Sequence, residues 1–177
     1  MDLKIKRIIF GILTIATCII IFIFSSQDGE KSGLTSRGFV RKIIEITGIT
    51  NNLNEEEKEN LIENCQFVVR KLAHFSIYTI LGINTLGFVS TYKKLKLKKQ
   101  IVITFLFGVM YASSDEFHQM FSGGRTASPK DVCIDSVGVL FGVCIYLIVE
   151  KLIKKANARG GNDNISIAYL KKESGDV

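Results

Sequence analysis

His74 stands four residues after Arg70 and three after Lys71; Asp115 and Glu116 stand just ahead of His118 and Gln119; Asp131 is followed by Asp135. Imidazole and carboxylate groups can pass protons to and from a bound molecule, which makes His74 and Asp115 the acid/base candidates. Arg70, Lys71 and Arg125 could hold an anion, the guanidinium groups by a two-pronged contact. Tyr78, Glu116, Gln119, Asp131 and Asp135 complete the candidate ligand-binding set. Alternatively, Asp115, Glu116, Asp131 and Asp135 could hold a divalent cation through oxygen ligands. No nucleophile motif or lipid-phosphatase signature accompanies these residues, and the metal, if one binds, is not specified.

These groups border long apolar blocks. Of the 177 residues, 47% are apolar and only one is proline, a balance that needs a membrane or a very large core. The apolar residues concentrate in four blocks, within 8–24, 67–92, 101–121 and 131–149. A block of about 18 or more such residues can cross a hydrocarbon layer of about 30 Å as a helix. The expected fold is therefore all-α: a polytopic membrane protein with four transmembrane helices and an extracellular helical segment between the first and second. Because Lys4, Lys6 and Arg7 precede the first block, a cleaved signal peptide is the competing reading there. Its 17 residues exceed a normal signal core, and Phe24-Ser25-Ser26 lacks the small residue needed three before a cut after Ser26, so retention is expected.

Lysine and arginine in short loops set orientation. The stretch 93–100 holds Lys93, Lys94, Lys96, Lys98 and Lys99 and is expected in the cytoplasm, with the N-terminal 1–7 and the C-terminal 150–177 on the same side. Segments 25–66 and 122–130 then lie outside. The net charge of +6 sits at the flanks of the spans and not in a groove with aromatic platforms, which argues against nucleic acid. Within the outer segment, Leu34, Phe39, Val40, Ile43 and Ile44 fall near helical spacing beside Arg37, Arg41 and Lys42. They predict an amphipathic helix on the outer headgroups, with a solvated loop as the alternative. Asn54 with Glu57 predicts a capping box starting a helix that can run into the second span. From Ala158 onward the polar, glycine-containing chain predicts a mobile tail. Cys18, Cys65, Cys133 and Cys144 have no metal-ligand spacing and are expected to act as small hydrophobes.

An ionisable group costs about 2.5 to 3.5 kcal/mol at the centre of a membrane helix, so this number of them asks for a reason. In the topology above, His74, Asp115 and Asp135 all fall within about 10 Å of the outer boundary, at a rise of about 1.5 Å per residue. Helical phase joins them to stripes: Arg70, His74, Tyr78, Leu81 and Thr85 on the second span; Gly108, Ala112, Asp115 and Gln119 on the third; Asp131, Asp135, Gly138 and Gly142 on the fourth. Small residues four apart let helices approach closely in lipid. The expected assembly packs these spans with Arg70 and His74 facing Asp115 and Asp135, and with Arg125 delivered above them by a glycine-containing loop. Either the charges pair to hold the bundle, or they bind or transform a ligand.

At these residues the chain resembles the VanZ-like family of bacterial membrane proteins. The matching pieces are Phe24-Ser25-Ser26-Gln27, Arg70-Lys71-Leu72-Ala73-His74-Phe75 with Tyr78, the run from Tyr111 to Gln119 with Phe121 and Arg125, and Asp131 with Asp135 and Gly138; together they cover about residues 22–145. The resemblance implies a bacterial cell-membrane location and a link to glycopeptide resistance of the teicoplanin type, and it supplies no reaction. Two functions follow as expectations. One is a non-catalytic accessory or binding module whose partners are the lipid bilayer and an anionic lipid or cell-wall precursor at the outer leaflet. The other is an outer-leaflet enzyme acting on a phosphate-bearing lipid or wall precursor. Transport fits less well, because the polar residues stop at one side and show no repeated halves.

Overall fold

The first helix is started by Asp2, whose carboxylate accepts the Lys4 amide hydrogen at 3.2 Å and so satisfies a donor that a helix start leaves open. A computed structural model describes residues 2–26, 29–48, 54–121 and 128–173, with the side chains of 29–32 and 159–173 outside that description. Every element among the described residues is a helix: α1 (Leu3–Ser25), α2 (Gly29–Thr47), α3 (Glu55–Val89), α4 (Leu97–Gln119) and α5 (Pro129–Glu173). The chain divides into two compact units, Met1–Val143 and Cys144–Val177, the second made of the later turns of α5.

The capping box forms as its spacing predicts. Glu57 N–H donates to Asn54 Oδ1 at 2.8 Å, and Asn54 N–H donates to Glu57 Oε2 at 3.0 Å. From there α3 runs unbroken for 35 residues, joining the segment that follows α2 to the second apolar block as one rod. The solvated loop is ruled out for α2, which is helical, but its apolar residues divide in two. Val40 and Ile44 are buried against Ile62 of α3, while Leu34, Phe39, Ile43 and Ile46 stay exposed. Arg37 and Arg41 both pair with Glu59 of α3. Helix α2 is thus docked on α3 by one stripe, because the N-terminal extension of α3 offers Val40 and Ile44 an apolar partner. Beyond Ala158, in the segment expected as a tail, the backbone is helical as far as Glu173; Gly160 and Gly161 do not interrupt it.

Three helical segments are long and apolar enough to cross a membrane: Leu3–Ser25, Glu55–Val89 and Pro129–Ala158. Helix α4 is not among them, since its apolar stretch is bracketed by Lys98 and Lys99 at one end and Asp115 and Glu116 at the other. Large apolar side chains nonetheless cover the outsides of α1 and α4; Ile15 is 63% exposed and Met110 72% exposed. Such a surface suits lipid and not water.

Glycine stripes draw the helices together as the spacing predicts. A Cβ on Gly138 would come within 2.7 Å of the Phe75 carbonyl oxygen, and one on Gly108 within 2.6 Å of a Val139 methyl. At Gly82 and Gly142 the approach is closer still, onto the backbone oxygens of Val139 and Thr79. Helices α3, α4 and α5 thus meet almost backbone to backbone through Val139, beside a core of Ile21, Tyr78, Leu81 and Ala112. Helix α1 joins them by polar ties. Arg7 Nε donates to Thr91 Oγ1 at 3.1 Å with its guanidinium 4.4 Å from the Tyr92 ring, and Asn84 Nδ2 donates to Thr17 Oγ1 at 3.1 Å. Tyr111 Oη donates to the Cys18 carbonyl at 2.6 Å.

Candidate functional site

Four helices each deliver a polar group to one buried place. On α3, the turn that carries His74 is followed by Tyr78 on the same face; on α4, Ala112 lets the helix approach closely enough to bury Asp115; on α5, Gly138 does the same for Asp135. The result is a set of one imidazole and two carboxylates whose nearest ligand-capable atoms all lie within 4.8 Å of one another. Asp115 is 5% exposed, Asp135 1% and Tyr78 not at all. Helix α1 contributes Ser25, which is fully buried and donates to Asp115 Oδ2 at 2.7 Å. Gln119, one turn further along α4, donates to the same oxygen at 3.1 Å and to Ser25 Oγ at 2.9 Å. Two donors on one oxygen fix the orientation of the Asp115 carboxylate and leave its other oxygen for another partner.

The remaining expected residues separate from this group. Lys71 pairs with Asp131, both partly exposed, at the mouth of the bundle. Glu116 is buried and accepts the Ser128 backbone N–H at 2.8 Å, so it holds the start of α5. The expectation that Arg70 faces Asp115 or Asp135 is not met: among the described residues it forms no ion pair with either, and its guanidinium lies 6.0 Å from the Phe67 ring. The reason is its position one turn above His74, where α3 projects past the point at which α4 ends. The four-carboxylate cation site expected from Asp115, Glu116, Asp131 and Asp135 does not assemble either, since Glu116 and Asp131 are held by Ser128 and Lys71. Arg125 lies outside the described residues.

Beside the buried group is a cleft of about 270 Å³ lined by Phe22, Tyr111, Ser114, Asp115, Phe117, His118 and Phe121. His118 forms one wall, stacked on Phe22 with ring centroids 4.6 Å apart and with its Nε2 at 3.1 Å from Ser26 Oγ. Sequence reasoning assigns no site role to Phe22, Ser25, Ser26 or His118, although Ser25-Ser26 and His118 stand within the pieces that resemble the VanZ-like family. The serine pair closing an otherwise apolar helix is the signal that its last turn meets α4.

A helical membrane protein with an acidic and imidazole cluster held between the helices at one end of its bundle is thus the class that fold and site define. Residues 10–150 match the family model VanZ/LLP1, and the chain belongs to that family. No curated protein and no solved structure matches it.

Proposed function

We propose that this is a four-span protein of the bacterial cell envelope whose buried cluster is a binding site at the outer leaflet, acting as an accessory module in tolerance of glycopeptide antibiotics. The five lysines between α3 and α4 support a cytoplasmic position for that turn and for both termini. Helix α4 then crosses as the third of the four spans although its own hydropathy is modest, because Gln100, Thr104, Gly108, Ala112, Asp115 and Gln119 are buried against its neighbours and shielded from lipid.

The observation that carries the reading is the convergence of Ser25, His74, Asp115 and Asp135 from four separate helices. Two carboxylates buried beside one imidazole hold a bundle together less well than apolar side chains of the same volume would, so a purely structural role explains them poorly. The cleft along Asp115 gives an envelope component access from the side. An outer-leaflet enzyme acting on a phosphate-bearing lipid is the second reading, favoured only by the pairing of His74 with Asp115 as a potential acid and base.

Replacing His74 with Gln and Asp115 with Asn tests the proposal, since both keep shape and lose chemistry. Cells producing either variant at wild-type membrane abundance should lose the change in glycopeptide susceptibility that the intact protein confers. Full phenotype in both variants would overturn the site; loss of abundance in both would favour a structural cluster.

A further inference from the structure

We infer that His74, Asp115 and Asp135 are the protein ligands of one first-row divalent cation of the Zn²⁺ or Mn²⁺ class; the inference deepens the binding-site reading above and rests on it. Three observations lead there. The first is the donor set itself, one imidazole nitrogen and two carboxylate oxygens within 4.8 Å of one another and drawn from three helices. Metal–ligand bonds of about 2.0 to 2.2 Å would require these atoms to close in by about 1 Å, which side-chain rotation supplies.

The second observation is charge. Asp115 and Asp135 are two carboxylates buried together, and among the described residues neither Arg70 nor Lys71 forms an ion pair with them, Lys71 being held by Asp131. A divalent cation would supply the positive charge that these side chains do not. The third observation is an unsatisfied buried atom. Asp135 Oδ2, on a residue 1% exposed, has no hydrogen-bond partner among the described residues, while the buried hydroxyl of Tyr78 lies against Asp115 as its hydrogen-bonding neighbour. A buried carboxylate oxygen without a partner is costly, and a bound cation is a partner that would satisfy it.

The surroundings suit a metal in a further respect. Ligand carboxylates in metal sites are themselves held by hydrogen bonds, and Ser25 and Gln119 hold Asp115 in that way. The mixed nitrogen and oxygen set selects against Mg²⁺ and Ca²⁺, which take oxygen ligands alone. Three protein ligands would leave a position for water or a bound molecule, and one of the three, Asp115, also lines the cleft.

The test uses the full-length chain in detergent with a histidine-free tag and all four cysteines changed to serine, so that neither tag nor thiol binds metal. Metal content is measured by plasma mass spectrometry, and Zn²⁺ and Mn²⁺ affinities by competition with a chromophoric chelator. Stoichiometric binding is expected, weakened at least about a hundred-fold in His74→Gln and Asp135→Asn and about ten-fold in Tyr78→Phe. Absence of Zn²⁺ and Mn²⁺ binding by the folded parent overturns the inference, and so does equal binding by folded Asp135→Asn. Should Asp135→Asn fail to fold, Tyr78→Phe decides, because it removes only a hydroxyl; unchanged affinity there overturns the inference. The two proposals fail separately. A metal-free parent whose His74→Gln variant still loses the phenotype removes the cation and keeps the site. A metal-bound parent whose His74→Gln variant keeps the phenotype leaves a structural ion and removes the site.

Discussion

Ser25 shows how much a single hydroxyl can decide inside a helical bundle. It is the one group of α1 that reaches the carboxylate cluster, and it shares Asp115 Oδ2 with Gln119. Removing it leaves a buried carboxylate one donor short, at a cost of about 1 to 3 kcal/mol, with the lower part of that range expected because Gln119 remains. Ser25→Ala should therefore lower the unfolding midpoint of the purified chain in detergent, whereas Ser26→Ala should change it little. Ser26 is exposed, and its two contacts, to the carbonyl of Phe22 and to His118 Nε2, are ones that water can replace. Equal effects of the two substitutions would mean that Ser25 does not stabilise Asp115. At this scale the candidate residues were readable from type and position, because charge inside an apolar block is conspicuous. Their partners were not, since a serine is equally at home bonding its own helix backbone, as Ser76 and Ser113 do here.

Helices owe their packing to the glycines between them, and two of those make a matched comparison. A methyl group on Gly142 would run into the Thr79 carbonyl and the Ile83 amide of α3, backbone atoms that cannot rotate away. Gly142→Ala should force α3 and α5 apart and cost about 1 to 3 kcal/mol, read as a lowered unfolding midpoint and reduced membrane abundance. Gly38 of α2 has nothing within 4 Å of its would-be Cβ, so Gly38→Ala should be neutral or gain about 0.5 to 1 kcal/mol from helix propensity. A harmless Gly142→Ala would contradict the close crossing. The four-residue recurrence of small residues made this crossing legible, as the capping residues Asn54 and Glu57 did the start of α3. What periodicity could not show is that α2 docks through Val40 and Ile44, because the choice between a headgroup surface and Ile62 depends on how far α3 extends.

For the whole molecule the open quantity is its orientation in the bilayer, and it can be read chemically. In a chain with its native cysteines changed to serine, Glu56→Cys should react with a membrane-impermeant thiol reagent in intact cells, and Lys96→Cys should react only after lysis. The reverse pattern would place the cluster on the cytoplasmic side. Both positions are exposed at helix ends, so burial does not complicate the readout. Helix α1 carries a consequence of another kind. Arg7 holds one end of it to Thr91, and Ser25 holds the other to Asp115. Those residues are 18 positions apart, about five whole turns at 3.6 residues each, so both anchors lie along one line of the rod. The helix is therefore a ruler as well as a span: its length and phase are set by two fixed points rather than by the thickness of the lipid. One alanine inserted after Leu13 would add only about 1.5 Å but would turn Ser25 by about 100° away from Asp115 while Arg7 stayed in place. That insertion should weaken the bundle at least as much as Ser25→Ala does, although it leaves the apolar character of α1 intact, and the unfolding midpoints of the two variants would show whether the ruler holds.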